Sequence, residues 1–298
     1  MTILSGSIQN LLLYITTILI WGSSWLAIKL QLGYVDPMVS VAYRFILASG
    51  ISWIYCSYSG RLMRFGLRDH LLMLLQGVSL FSLNYLLFYI SEITLTSGLA
   101  AIIFSSLVVM NMLNGIIFLK NPFEMRMGVG TFLGLSGIFL VFWPEINDFE
   151  MGYENLKAAA IAVLATFLAS LGNIASAGNQ RNGIPVIEAN TYGMTYGAII
   201  MLMLSFLSGK EFNIEISVTY LGSLIFLSFF ASVIAFLSYL TLLGRIGVER
   251  AAYTTLLFPL VALIISTVYE GYSWSAYAGL GVALILIGNL LILKRNSS

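Results

Sequence analysis

Apolar residues in this sequence come in blocks of about twenty, the length an α-helix needs to cross the hydrocarbon core of a bilayer. Short polar turns separate the blocks. Read this way, the chain predicts ten spanning segments, at 11–32, 37–58, 70–91, 95–119, 127–143, 156–179, 187–207, 219–243, 250–269 and 273–293. No stretch between them is long enough for a soluble domain. The expected fold class is an all-α membrane protein with ten transmembrane helices.

The pattern also repeats. Residues 95–141 line up with 246–292 at a constant offset of 151: Ala100 falls on Ala251, Phe118 on Tyr269, Phe123 on Trp274, Gly128 on Gly279, Gly130 on Gly281 and Gly137 on Gly288. Nearby offsets pair Gly22 with Gly172, Ala27 with Ala177 and Pro37 with Pro185. The longest polar stretch, Pro144–Asn155, is the natural seam. The expected halves are therefore 1–146 and 147–298, each a five-helix repeat. Five is odd, so the second half must cross the membrane inverted relative to the first, the plan of many secondary transporters.

Charge sets the expected orientation, because Lys and Arg favour cytoplasmic loops. Arg61, Arg64 and Arg68 follow the second segment, Lys120 and Arg126 the fourth, Arg181 the sixth, Arg245 and Arg250 the eighth, and Lys294 and Arg295 the last. These sites share one side if both termini are cytoplasmic. The opposite loops hold mainly acids, among them Asp36, Glu92, Asp148, Glu150, Glu211, Glu215 and Glu270. The first ten residues lack Lys and Arg, so no secretory signal is evident and the first segment is expected to stay as a spanning helix in the cell (inner or plasma) membrane.

Composition supports lipid as the solvent. The 298 residues are 59% hydrophobic and 9% charged, against about 25% charged in an ordinary soluble domain. A net charge of +1 leaves no nucleic-acid footprint. Cys56 is the single cysteine and His70 the single histidine, so no disulfide or zinc cluster is expected, and no cofactor motif is present.

A few residues inside the spans carry chemistry. Arg44 is the one basic residue well inside a span, and an intramembrane cation is usually partnered or functional. It either meets a substrate carboxylate or a gate, or ties its helix to neighbouring carbonyls or snorkels toward the outer face. Trp21, Ser24 and Trp25 share a helical face, as an aromatic cavity wall with a hydroxyl would; Trp25 also suits an interface belt. Asn84, Tyr85 and Phe88 cluster on the third segment, as ligand contacts or as polar glue between helices. Asn173 in the sixth segment and Tyr192 and Tyr196 in the seventh are placed to answer the first and second segments from the second half, and Tyr239 in the eighth is the counterpart of Phe88. Asn111 and Asn114 either gate the cytoplasmic side or pair with neighbours. Gly130 and Gly134 form a G-x-x-x-G pair that points to close packing or a homodimer contact. No acid lies mid-span, so no proton-coupling site is legible.

Trp21-Gly22-Ser23-Ser24-Trp25, Arg44-Phe45, Asn84-Tyr85-Leu86-Leu87-Phe88-Tyr89, Thr96-Ser97-Gly98-Leu99-Ala100-Ala101 and Glu249-Arg250-Ala251-Ala252, in this order and duplicated, resemble the drug/metabolite transporter superfamily, in its EamA-like ten-helix branch. The resemblance covers essentially the whole chain. It implies a carrier that exports amino acids or related metabolites, with helices 1–4 and 6–9 around a central cavity and helices 5 and 10 outside it. Two departures stand out. Val108 replaces the mid-helix proline whose counterpart, Pro259, is present, and Leu119-Lys120-Asn121-Pro122 stands where the family often has Gly-Glu. The expected partners are a small-molecule substrate and membrane lipid. A passive channel, or a carrier of drugs or other metabolites, is the alternative; an enzyme would need convergent catalytic groups that the spans lack.

Overall fold

The computed structural model describes residues 2–33, 35–147, 152–269 and 275–293, and these residues contain helices and no strands. Among the described residues seven helices are long and apolar enough to cross a membrane. They are α1 (Thr2–Lys29), α2 (Pro37–Tyr58), α3 (Leu67–Glu92), α4 (Ser97–Ser105 continuing as Leu107–Leu119), α6 (Tyr153–Arg181), α7 (Val186–Leu207) and α8 (Val218–Ile246). Shorter apolar helices α5 (Met125–Val141), α9 (Thr254–Tyr269) and α10 (Ala276–Leu293) fall on the remaining expected segments.

Local chemistry explains the boundaries. Asp36 caps α2 by accepting from the Met38 amide at 2.9 Å, with Pro37 in the first turn where its missing N–H costs nothing. The expected single segment at 95–119 is interrupted at Ser106, where the hydroxyls of Ser105 and Ser106 bond back to the carbonyls of Ala101 and Ile103. The expected segment at 250–269 likewise breaks into Val248–Ala251 and α9, with Thr254 and Thr255 bonding back in the same way. Two π-helical stretches, Ser79–Leu83 in α3 and Phe226–Ile234 in α8, overlap at the 151 offset, so both halves carry the same local widening.

Counterpart helices run antiparallel to each other. Gly130 of α5 abuts Ile292 and the Gly288 carbonyl of α10, while Gly137 abuts the Gly281 carbonyl. Gly288 is the counterpart of Gly137 and Gly281 that of Gly130, so each glycine meets the partner's counterpart. That reciprocity is the mark of a pseudo-twofold axis. The G-x-x-x-G pair is thus used within the chain. The pairing of α2 with α7 is also antiparallel: Trp53 bonds Thr195, Cys56 contacts Thr191 and Arg61 pairs with Glu188. Packing α1 on α8 and α6 on α3 completes the frame, through the Trp21 indole on the Ala231 carbonyl and Gly172 against Leu80.

The bundle is apolar outside, where it meets lipid, and its apolar interior holds a set of buried polar side chains. Leu12, Leu19, Ile54, Phe132 and Leu290 are more than half exposed, whereas Gln76, Asn111, Asn179 and Asn190 are buried. The basic loops lock together at one end: Arg181 donates to the Leu119 carbonyl and to Asn121, Asn121 to Glu249, Arg250 to Glu124, Arg126 to the Leu291 carbonyl, and Arg245 to Gln9 and Asn10. At the opposite end Lys210 pairs with Asp36 at 2.8 Å. Asp148, Glu150, Glu270, Trp274, Lys294 and Arg295 lie outside the described residues.

Candidate functional site

A cavity with about 630 Å³ of atom-free space, counting its mouth, lies between the two halves. Its walls come from α1, α3, α4, α6, α8 and α9. Three pairs of lining residues are counterparts at the 151 offset: Tyr85 and Phe236, Phe88 and Tyr239, Leu107 and Phe258. The first two pairs follow directly on the π stretches, so the widened turns set where these side chains emerge.

Trp21 is the centre of the aromatic wall. Its ring centroid lies 4.9 Å from Phe236, 5.0 Å from Tyr239 and 6.2 Å from Phe258, in edge or tilted contact. Its indole N–H is spent on the Ala231 carbonyl at 3.1 Å, which fixes the ring against the wall. Phe104 links Phe88, at 5.3 Å, to Phe258, at 5.8 Å. Ser24 also lines the cavity, its hydroxyl donating to the Trp21 carbonyl. The side chain of Trp25 lies outside the described residues.

The floor is an amide layer. Asn173 donates to the Tyr239 hydroxyl at 3.1 Å and to Asn111 Oδ1 at 3.4 Å; Asn114 donates to Ser170 at 2.8 Å. Asn173 Oδ1 is buried without a partner. Below this layer the interlocked basic loops close the bundle. In the other direction the cavity extends along α3 through Phe88 to Glu92 and along α1 to Ile28. Asn84, on the wall, is fixed by donating to the Ala165 carbonyl at 2.8 Å.

Three expected site residues lie elsewhere. Arg44, 1% exposed, does not line the cavity; it stands behind Tyr85, with Nε donating to Ser232 at 2.8 Å and Nη2 to the Tyr85 hydroxyl at 3.3 Å. Tyr192 and Tyr196 surround His70 at the basic-loop end. Tyr192 donates to the Met63 carbonyl, and the Tyr196 hydroxyl shares a 2.8 Å bond with His70 Nδ1. The reason is inversion. Tyr192 is the counterpart of Arg44 at the offset of 148 that relates Pro37 to Pro185, and inverted counterparts sit at opposite ends of the bundle. The sequence reading missed Glu92, Phe104, Leu107, Phe236 and Phe258. The duplication offered a signal for Phe236, as the counterpart of Tyr85. Among the described residues no group of three His, Cys, Asp or Glu is placed to hold a metal ion.

The model of the EamA-like transporter family matches this chain twice, over residues 9–143 and 156–294. Among similar proteins, Protein PagO of Salmonella typhimurium is 23% identical over 95% of this chain and 92% of its own length. A protein of the same organism named "Probable amino-acid metabolite efflux pump" is 23% identical over 93% of this chain and 92% of its own. An uncharacterized transporter of Buchnera aphidicola is 23% identical over 95% and 91%. A solved structure titled "Crystal structure of protein" superposes with a TM-score of 0.79 at 15% identity, covering 95% of this chain and 96% of that one, a likeness of fold.

Proposed function

Because the chain belongs to the EamA-like transporter family and is a multi-pass membrane transporter, we propose that it exports small organic metabolites, amino acids foremost, by alternating access around the cavity between its halves. The observation that carries this reading is the cavity's construction from counterpart pairs, Tyr85 with Phe236 and Phe88 with Tyr239. A site walled by both inverted halves, even with most of its lining from the first, can be handed from one side to the other when the halves rock. The name of the Salmonella efflux pump supports amino acids as the first substrates to try.

With the basic loops cytoplasmic, as the distribution of Lys and Arg favours, both termini face the cytoplasm. The cavity is then closed toward the cytoplasm by the Asn111–Asn173–Tyr239 layer and the loop bonds beneath it. This is the arrangement of a carrier resting with its site turned outward. Such a closed layer also disfavours a passive channel, which would need a continuous path.

The test is counterflow in proteoliposomes loaded with unlabelled amino acids. Saturable uptake of labelled leucine or phenylalanine, weakened by Trp21→Ala, is expected. Flux that does not saturate and carries ionic current would remove the carrier reading.

A further inference from the structure

Glu92 is the only charged side chain lining the cavity among the described residues. It shares a face of α3 with Tyr85 and Phe88, at the spacing i, i+3, i+7, and stands about 10 Å along the helix axis from Tyr85. Its Oε1 is buried and has no hydrogen-bond partner. No cation lies within ion-pairing distance of it among the described residues. Arg44 donates through Nε to Ser232 and through Nη2 to Tyr85, its Nη1 is buried without a partner, and it makes no ion pair with Glu92. Lys29 is exposed, and Lys157 pairs with Glu154 at the surface.

A carboxylate facing an apolar wall without a cation is costly, and the cost is relieved when a cation arrives. The rest of the cavity suits such a guest. The faces of Trp21, Phe88 and Phe104 attract an ammonium through their ring quadrupoles, and Asn173 Oδ1 offers a second open acceptor on the floor. We propose that Glu92 is the cation site of the cavity and takes the protonated amine of the transported molecule. This rests on the reading of the cavity as the transport site, and it narrows the cargo: compounds with an amino group and an apolar body are carried, and carboxylates without an amine are poorly held.

The experiment uses the full chain in proteoliposomes and three probes with one carbon frame: phenylalanine, phenethylamine and 3-phenyllactate. The wild type is expected to exchange the two amines saturably. Glu92→Gln is expected to raise their half-saturation concentrations at least about tenfold, the loss of one charge-assisted hydrogen bond, and to leave the weak exchange of phenyllactate unchanged. An equal shift for all three probes, or none, would overturn the assignment while leaving the carrier reading intact. If the wild type exchanges neither these probes nor any amino acid, the carrier reading fails and Glu92 loses its role with it. A second measurement needs no variant. An apolar carbodiimide labels Glu92 in the wild type, read by mass spectrometry; phenethylamine is expected to slow the labelling several-fold and phenyllactate to leave it unchanged. Equal protection by both would also overturn the proposal.

Discussion

Arg44 meets the cavity only through Tyr85. Its guanidinium lies 4.3 Å from the Tyr85 ring centroid, and its Nη2 donates to the same residue's hydroxyl at 3.3 Å. The tyrosine therefore accepts from a cation on one side and keeps its own proton to donate on the other, a chain in which the first bond strengthens the second.

Arg44→Lys keeps the charge and loses the planar fork that spans Ser232 and Tyr85. A three- to tenfold rise in half-saturation for amino-acid counterflow is expected, roughly 1 kcal/mol. In a Tyr85→Phe background the same change should have much less effect. Additive losses in the double variant would show that the two residues act separately.

The glycine seam between α5 and α10 predicts a stability effect. A Cβ at Gly137 would stand 2.5 Å from the Gly281 carbonyl and 2.7 Å from Ile285 Cγ1. Gly137→Ala should cost about 1–3 kcal/mol by overpacking. At Gly279 of α10 nothing lies within 4 Å, and Gly279→Ala should be neutral or stabilising by about 0.5–1 kcal/mol. Thermal unfolding in detergent distinguishes them; equal melting shifts would contradict the packing account.

The bonds at the basic-loop end predict a change of access. Glu249 receives Asn121 at 2.5 Å, and Asn121 in turn receives Arg181 at 2.9 Å. Glu249→Ala removes the charged member of this chain, worth about 1.5–3 kcal/mol. A cysteine placed at the buried Ser170 should then react at least about threefold faster with a thiol reagent from the basic-loop side. Unchanged reactivity would mean these bonds do not hold the end shut.

Orientation is tested by labelling from outside. Arg64 and Glu211 are exposed at opposite ends, and Cys56, being buried, gives little background. In intact cells, a membrane-impermeant maleimide should label Glu211→Cys and spare Arg64→Cys. The reverse pattern would invert the assignment of both termini.

Much of the fold is written in the sequence because lipid imposes a simple rule of apolar length, and because duplication states it twice. The spacing of Gly130 and Gly134 marks a closely packed helix face, and the partner, which spacing alone leaves open, is α10 for Gly130 and Leu256 of α9 for Gly134. The site was less legible. Trp21, Ser24, Asn84, Tyr85, Phe88, Asn173 and Tyr239 were readable as polar or aromatic residues at depth, and they do line one cavity. Arg44 lies off the cavity and bonds its neighbours, the second of the two readings open to it, because depth in the bilayer says nothing of which way a helix is turned. Tyr192 and Tyr196 lie off the cavity because inversion sends a counterpart to the other end. Glu92 was passed over because it ends its span, yet the cavity reaches that far along α3.

The α5–α10 seam has a mechanical consequence. Both helices stand apart from the cavity walls, and at Gly130, Gly137, Gly281 and Gly288 a carbonyl or a branched side chain of the facing helix fills the space a Cβ would need. No rotamer change in the glycines themselves can absorb a relative shift of the two helices. The seam therefore ties the halves together away from the cavity, and the remaining helices can tilt about it.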